Sequence, residues 1–297
     1  MHLVSASRRT DVPAFYARWF MERARAGSVS WVNPYSGQIA AVSLAPDDVA
    51  AIVFWTRNFA PMMRHLDELE RRGYRTLVQF TITILPRVYE SHVPAVKAAV
   101  AQLRRIADRI GPDRVLWRYD PVVISPDTGE DFHLRAFETL ASALEGATRQ
   151  CSISFVQIYG KVRRNFTRRG LPLPSPDPGL RRSLASKLAG MGAARGIAVG
   201  ACCNDDLVGP EVGKARCVDR EQVRRLWPCV DFDAPPAPSR EGCGCSRSFD
   251  VGAYDTCLHG CIYCYATRDR ETAKKRHAEH DPASDTLIPA REPEGVP

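Results

Sequence analysis

Short apolar runs alternate along the chain with longer segments whose apolar residues recur at helical spacing. The runs are rich in β-branched and aromatic residues, which is typical of strands buried on both faces of a sheet. The pattern predicts six strands, at residues 3–6, 51–55, 76–83, 115–119, 151–158 and 197–201. It predicts five helices between them, at residues 13–26, 61–72, 93–110, 132–144 and 180–194. We expect an extra hairpin, with strands at 29–33 and 39–44, inside the first strand–helix unit.

Strands that alternate with helical crossovers form a parallel sheet. Six such units exceed a minimal sheet, so the pattern predicts an α/β fold built as a partial or complete (β/α) barrel of about six to seven parallel strands. Polar residues follow each apolar run, and the carboxyl ends of barrel strands form the mouth of an active site. Polar residues are also common wherever a strand meets a loop. Their recurrence at all six strand ends nevertheless indicates a functional site at that edge.

The composition is that of a globular protein, with 44% hydrophobic and 25% charged residues among 297. It excludes a wholly disordered, collagen-like or fibrous chain. Lys and Arg number 41 against 34 Asp and Glu, and the net charge of +7 is compatible with a phosphate-bearing or nucleic-acid partner but is common among enzymes. The sequence shows neither a membrane-spanning apolar run nor an export signal, so we expect a cytoplasmic protein without a membrane partner.

The ten cysteines are unevenly distributed. Cys151 stands alone in the first two-thirds of the chain, and the other nine lie between residues 202 and 264. In a reducing compartment such a cluster favours metal or redox chemistry over disulfide bonds. We therefore divide the chain into a barrel at residues 1–232, a cysteine-rich segment at 233–267 that completes the barrel mouth, and a charged tail at 268–297 that we expect to be disordered.

The densest group of cysteines is a loop with the pattern Cys257-x3-Cys261-x2-Cys264, in which Tyr263 precedes the last cysteine. Three thiols at this spacing can hold one compact metal centre from a single loop. No fourth cysteine is evident in the loop itself. One iron of a four-iron cluster would therefore stay free to bind another molecule.

The cysteine spacing and the aromatic residue resemble the cluster motif of radical S-adenosylmethionine enzymes. The resemblance implies that Cys257, Cys261 and Cys264 hold a 4Fe–4S cluster, that S-adenosylmethionine binds its open iron, and that a flavodoxin- or ferredoxin-like protein donates the electron. It also implies a 5′-deoxyadenosyl radical that abstracts hydrogen, and a full or partial (β/α) barrel. In most of that superfamily the motif follows the first strand, whereas here it follows six strand–helix units. A permuted arrangement, with residues 249–253 as the preceding strand, would return the loop to the same mouth.

Nearly the whole chain resembles a bacterial family of unknown function that is defined by such a C-terminal cysteine cluster. The Arg-x-Asp-Pro sequence at residues 118–121 is in addition similar to a strand end of spore photoproduct lyase. The segments that match the bacterial family are residues 5–11, 53–58, 117–121, 243–245 and 250–266.

A second set of cysteines consists of Cys202, Cys217, Cys243 and Cys245. The family resemblance implies ligands at Cys202 and Cys217, and the tight Cys243-Gly-Cys245 pair suits an extended loop around a metal. Four thiolates would hold an auxiliary 4Fe–4S cluster or a tetrahedral zinc ion. Buried cysteines without a metal are the alternative. We expect Cys203 to be incidental.

If S-adenosylmethionine binds, its carboxylate needs a cation. Arg118 can supply one through two hydrogen bonds, and Asp120 can orient Arg118 or contact the ribose, although a purely structural ion pair is equally consistent with the sequence. Two adjacent arginines, Arg8 and Arg9, precede a predicted helix and can hold an anionic substrate. The other expected contacts with the cofactor or the substrate are Trp55, Thr56, Asn58 and Tyr263.

Together these features predict a radical S-adenosylmethionine-type enzyme that acts on an unidentified substrate, which is a nucleic-acid lesion, a peptide or a small metabolite. The alternative is a non-catalytic iron–sulfur or zinc protein that serves as a redox sensor or a nucleic-acid-binding module.

Overall fold

The computed structural model describes residues 1–32 and 37–288. Its strands are β1 (His2–Ala6), β2 (Ser28–Val32), β3 (Ile39–Ser43), β4 (Val49–Thr56), β5 (Thr76–Thr81), β6 (Val115–Val122), β7 (Gln150–Phe155), β8 (Ala198–Ala201), β9 (Gly213–Lys214) and β10 (Phe249–Asp250). Its α-helices are α1 (Val12–Phe15), α2 (Ala17–Ala26), α3 (Ala60–Met63), α4 (Leu66–Arg71), α5 (Val96–Ile110), α6 (Glu130–Leu144), α7 (Gly160–Arg168), α8 (Pro178–Ala193), α9 (Arg220–Leu226) and α10 (Arg270–Ala278). None of these helices has the length and hydropathy needed to traverse a lipid bilayer.

Eight strands form one parallel sheet in the order β10-β1-β4-β5-β6-β7-β8-β9. The remaining two, β2 and β3, form a separate antiparallel hairpin. The predicted α/β class and parallel sheet are confirmed. The edge strands β9 and β10 lie at opposite ends of the order, and no pairing joins them in the described part of the chain. The sheet therefore does not close into a barrel there.

Side chains alternate between the two faces of the sheet, as the strand period requires. One face packs against the helices and forms the larger core, in which Ile52 and Trp117 are fully buried. The opposite face carries Val53 and Leu116, which belong to a second apolar cluster with Cys202, Cys217 and Cys245. The cysteine-rich part of the chain therefore covers the face that the helices leave free.

The six predicted strands correspond to β1, β4, β5, β6, β7 and β8, with ends that differ by three residues or fewer. The helices predicted at 13–26 and 61–72 are each broken in two, into α1 with α2 and α3 with α4. The predicted hairpin is confirmed as β2 and β3, while its turn at residues 33–36 lies outside the described residues.

The short strand β10 precedes the cysteine loop and pairs in parallel with β1, with Val4 opposite Phe249 and Ser5 opposite Asp250. The strand predicted at 249–253 is therefore confirmed over its first two residues. Because neighbouring parallel strands end at the same edge of a sheet, the loop after β10 lies beside the residues that follow β1.

The tail predicted to be disordered from residue 268 is ordered as far as residue 288, so that prediction is wrong for these residues. The helix α10 begins after Asp269, whose side chain accepts a hydrogen bond from Thr272 N. The carbonyl of Ser284 accepts a hydrogen bond from Trp19 Nε1 at 3.0 Å, which fixes the following segment against α2. Residues 289–297 lie outside the described residues.

Candidate functional site at the carboxyl ends of the strands

A cavity of about 980 Å³ opens at the carboxyl ends of the parallel strands, as the polar strand ends predicted. Both sets of cysteines line it. So do the other residues predicted for the site, with Asn58 as the exception. The Asn58 side chain instead accepts a hydrogen bond from Ala60 N at 3.3 Å, at the start of α3, and its expected contact with a ligand stays a prediction.

The loop that carries Cys257, Cys261 and Cys264 follows β10 and is held by hydrogen bonds to the segment between β5 and α5. Ile262 N donates to Tyr89 O at 3.0 Å, and Ser91 Oγ donates to Gly260 O at 3.3 Å. Burial raises the pKa of the Cys261 thiol to about 12 and the pKa of Cys257 well above its usual value. Thiols with a raised pKa become ligands when a cation compensates the thiolate charge.

Asp11 connects this loop to the first strand of the sheet. Its carboxylate lies 2.8 Å from His259 Nε2 and accepts hydrogen bonds from Thr56 Oγ1 at 2.7 Å and Arg57 N at 2.7 Å. It also accepts one from Ala14 N, which caps α1. The other ring nitrogen of His259, Nδ1, lies 3.2 Å from His92 O. Thr56, expected to contact a ligand, is therefore a partner of Asp11.

Arg57, Glu90 and Tyr263 form a buried network beside Cys261. Arg57 Nη2 lies 2.9 Å from Glu90 Oε1 and donates to Tyr263 OH at 2.5 Å. Tyr263 OH and Thr83 Oγ1 both donate to Glu90 as well. The charge of Glu90 raises the pKa of Arg57 despite burial, so the guanidinium stays charged next to the cysteine loop.

Asp250, the last residue of β10, organises the end of β1. Its carboxylate accepts hydrogen bonds from Ser5 Oγ at 3.0 Å, Ser7 Oγ at 2.6 Å and Arg8 N at 2.8 Å. The Arg8 side chain also reaches it at 3.5 Å. Arg8 is therefore paired within the protein. Arg9 donates to Gly252 O at 3.4 Å and faces the cavity.

The second set of cysteines forms a ring of thiols. Cys202 Sγ lies 3.3 Å from Cys217 Sγ and 3.8 Å from Cys203 Sγ. Cys217 in turn contacts Cys245, and Cys243 contacts both Cys245 and Cys203. The four cysteines predicted for this set are therefore together. Cys203, which we expected to be incidental, closes the ring as its fifth member.

Arg118 faces this ring rather than the first cysteine loop. Its Nη1 donates to Cys217 Sγ at 2.8 Å, its Nη2 is paired with Asp120, and its guanidinium lies 5.0 Å from the ring centre of Trp55. Hydrogen bonds from Cys202 and Cys245 and the Arg118 charge hold the pKa of Cys217 well below its usual value. These contacts place Arg118 at the thiol ring, and its expected role at the S-adenosylmethionine carboxylate stays a prediction.

Asp120 and Trp55 are placed by the same contacts. Asp120 accepts a hydrogen bond from Ser154 in addition to its pairing with Arg118, so the structural ion pair is the arrangement observed. Trp55 packs with the apolar cluster around the ring, and its buried Nε1 has no hydrogen-bond partner among the described residues.

Sequence reasoning missed three charged residues of the site: Arg57, Glu90 and Asp250. Arg57 and Asp250 each stand at the end of a strand, so the signal of polar residues after apolar runs could have found them. Glu90 lies in an irregular segment between β5 and α5, and no sequence pattern indicates that this segment folds back to the site.

In residues 1–32 and 37–288, no group of three or more His, Cys, Asp or Glu side chains is arranged to hold a single metal ion. A four-iron cluster requires a wider arrangement, because each of its thiolates binds a different iron.

Two solved structures show a weak likeness to the chain. One, from a study of the inhibition of the pneumococcal virulence factor StrH and of N-glycan recognition and hydrolysis, is 9% identical with a TM-score of 0.27, over 76% of this chain and 62% of that chain. The other, a variant of Rhizobium etli pyruvate carboxylase with its allosteric activator acetyl coenzyme A, is 14% identical with a TM-score of 0.23, over 76% of this chain and 24% of that chain. The chain spans less than two-thirds of the length of either, and at these scores neither bears on fold or function.

No curated protein matches the chain. A family model described as "Domain of unknown function (DUF1848)" matches residues 3–266. That range includes all eight strands of the parallel sheet apart from the first residue of β1, and both sets of cysteines. The chain therefore belongs to the family of the domain of unknown function DUF1848.

Proposed function

We propose that the chain is a radical S-adenosylmethionine-type iron–sulfur enzyme in which Cys257, Cys261 and Cys264 hold a 4Fe–4S cluster. One observation carries the proposal. The three thiols line a single cavity at the carboxyl ends of a parallel sheet, in a loop that follows a strand paired with β1. The permuted form of the motif requires this placement.

The residues of the loop fit a cluster with three protein ligands. Both ring nitrogens of His259 face acceptors, Asp11 on one side and the carbonyl of His92 on the other. The histidine is therefore engaged and does not serve as a fourth ligand. Without a fourth ligand from the loop, one corner of the cluster is left for the amino and carboxylate groups of S-adenosylmethionine.

When bound, the cluster and S-adenosylmethionine supply a 5′-deoxyadenosyl radical that abstracts hydrogen from the substrate. The chain's own residues position that chemistry. Asp11 holds the loop to the strand ends through His259, and Arg57 and Glu90 fix Tyr263 beside Cys261. The parallel sheet keeps the rest of the cavity wall rigid behind them.

We further propose an auxiliary 4Fe–4S cluster at Cys202, Cys217, Cys243 and Cys245. The Arg118 guanidinium beside Cys217 favours the thiolate form that a ligand needs. A tetrahedral zinc ion is the alternative for four thiolates.

The cofactors imply a partner and a compartment. All ten cysteines are free, which fits a reducing compartment such as the cytoplasm. There a flavodoxin- or ferredoxin-like protein would supply the electron. The proposed reaction acts on a substrate that enters the cavity of about 980 Å³, which is large enough for a small ligand beside a cofactor.

The test is the formation of 5′-deoxyadenosine. The protein is purified without oxygen, reconstituted with iron and sulfide, reduced and incubated with S-adenosylmethionine. We expect 5′-deoxyadenosine from the wild type and from Cys229→Ala, whose thiol is exposed and outside the cavity, and none from Cys261→Ala. A colourless protein with one bound zinc and no product would contradict the proposal and support the non-catalytic alternative.

A further inference from the structure

Resting on the proposed function, we propose that the cavity mouth binds a nucleotide-bearing substrate. Its bases would stack on Tyr159 and Tyr265, and its phosphates would meet Arg9, Arg164 and Arg240. All five side chains line the cavity that holds the two sets of cysteines.

The two tyrosines form an open aromatic platform. Tyr159 is 38% exposed and Tyr265 is 44% exposed, unusual values for large rings, and their centroids lie 6.2 Å apart with an interplanar angle of 53°. Their hydroxyls are held, because Tyr265 OH donates to Arg8 O at 2.7 Å and Tyr159 OH donates to Gln157. Exposed rings whose hydroxyls are fixed suit the stacking of bases at a low entropic cost.

The acidic side chains of the cavity wall are already engaged. Seven Lys and Arg residues line the wall but only three Asp residues do. Each of the three is held by a neighbour: Asp11 by His259, Asp120 by Arg118, and Asp250 by Arg8. Two more of the cations, Arg57 and Lys161, are paired with Glu90 and Asp255 outside the wall, so the unpaired positive charge lies on the remaining arginines.

Three arginines carry this unpaired charge. Within the part of the chain that the structure describes, no carboxylate oxygen lies within 4.0 Å of the side-chain nitrogens of Arg9, Arg164 or Arg240. Arg240 Nη1 donates to Tyr159 OH at 2.8 Å, which puts a positive charge at the edge of the aromatic platform. An anionic ligand would find a partner there.

The combination selects one class of ligand. Neutral groups are the hydrogen-bond partners of Arg9 and Arg240, so a neutral ligand would leave their charge uncompensated, and a phosphate alone would leave the two exposed tyrosines without a contact. A nucleotide carries a flat aromatic base and a phosphate, the two chemistries that single-strand binders recognise with aromatic and basic side chains.

The test measures binding by the anaerobically reconstituted protein to a fluorescein-labelled single-stranded DNA of about twelve nucleotides, a length within the usual site sizes. We expect Tyr159→Ala and Tyr265→Ala each to weaken binding about tenfold, the effect of one lost stacking contact. Arg164→Glu should also weaken it, whereas Arg182→Glu, which changes an exposed arginine of α8 outside the cavity, should not. With three arginines on phosphates, the logarithm of affinity should fall with the logarithm of salt at a slope of about −2.

Competition separates the two sources of a nucleotide. Displacement of the probe by adenosine monophosphate indicates a free nucleotide, and displacement by unlabelled oligonucleotide alone indicates a nucleic acid. Both outcomes support the inference. No binding, or binding that the Tyr159, Tyr265 and Arg164 variants leave at the level of Arg182→Glu, overturns it. Because this measurement needs neither reductant nor S-adenosylmethionine, absent binding with intact 5′-deoxyadenosine formation rejects the substrate class alone. Binding without that product rejects the proposed enzyme alone.

Discussion

His259 Nε2 lies 2.8 Å from Asp11 Oδ2, a contact between residues 248 positions apart in the sequence. It joins the cysteine loop near one end of the chain to the turn after β1 near the other. Asp11 also accepts hydrogen bonds from Thr56, the last residue of β4, and from Arg57 N just after it, so a single carboxylate fixes the loop to two strand ends. This hydrogen bond therefore positions the C-terminal cysteine loop at the cavity.

We therefore expect Asp11→Ala to destabilise the protein by about 3 kcal/mol, because it leaves several buried donors without an acceptor. Asp177→Ala is the matched control, since Asp177 caps α8 at the surface through one hydrogen bond to Leu180 N. Loss of this cap should lower the free energy of unfolding by about 1 kcal/mol. Urea unfolding measures both. Equal losses would mean that Asp11 acts as a helix cap and nothing more.

Gly252 lies between β10 and the cysteine loop, where a side chain has no room. A Cβ at this position would lie 2.1 Å from Ser7 Oγ and 2.5 Å from Ser7 Cβ. Gly252→Ala should therefore push β10 from β1 and destabilise the fold by about 2 kcal/mol.

Gly209→Ala is the control, because a Cβ there meets nothing within 4 Å. We expect it to leave the free energy of unfolding within about 1 kcal/mol of the wild type. Thermal or urea unfolding of the two variants compares them directly. A Gly252→Ala protein as stable as Gly209→Ala would show that the β10–β1 pairing does not depend on this close approach.

Glu90 holds the charge of Arg57 beside the cysteine loop. Glu90→Gln removes the partner of a buried guanidinium and should cost about 3 kcal/mol. Tyr263→Phe removes one hydroxyl from the same network and should cost about 1 kcal/mol. Urea unfolding of both variants tests this order of losses. Equal losses in the free energy of unfolding for Glu90→Gln and Tyr263→Phe would contradict it.

His133 makes the stability of the fold depend on pH. Burial lowers its pKa to about 4 from 6.5, while Tyr119 OH contacts Nδ1 at 2.7 Å and the carbonyl of Val123 accepts from Nε2 at 2.9 Å. Because the pKa is lower in the folded protein, the unfolded chain binds the proton first as pH falls. The stability that neutral His133 contributes is therefore fully present above pH 6.5 and is lost as pH falls from 6.5 to about 4. It changes no further below that.

The predicted loss across this range is about 3 kcal/mol. Since other groups titrate there too, the measurement is the difference between the wild type and His133→Gln in urea unfolding at several pH values. The variant should have the shallower dependence on pH. Parallel curves would show that His133 titrates alike in the folded and unfolded chains.

The parallel sheet could be predicted because its strands are short apolar runs, too short for buried helices and separated by helical segments. The cysteine loop could be predicted because three thiols at fixed spacing define a centre locally. Three helices escaped prediction for the opposite reason. In α7 only Val162 and Phe166 are buried, in α9 only Gln222 and Val223, and in α10 only Ala273. Such short, polar helices acquire their stability from tertiary contacts that a local pattern does not contain.

The assignment of Arg118 illustrates a second limit. Its place in a strand could be predicted from the sequence. Which of the two cysteine groups it contacts depends on which group packs against the face of β6 that carries Arg118. The structure puts Cys217 there, 99 residues away in the sequence. Cys203 was missed for the same reason, since only the folded chain brings it to Cys243, 40 residues away in the sequence.

The central claim is that three thiolates hold a cluster with an open corner, and electron paramagnetic resonance tests it most directly. The anaerobically reconstituted protein is reduced and its spectrum recorded with and without S-adenosylmethionine. We expect the cofactor to change the signal of one cluster, and this change to disappear in Cys261→Ala while the signal of the second cluster remains. A spectrum that S-adenosylmethionine leaves unchanged, with the same iron content in the wild type and in Cys261→Ala, would contradict the account.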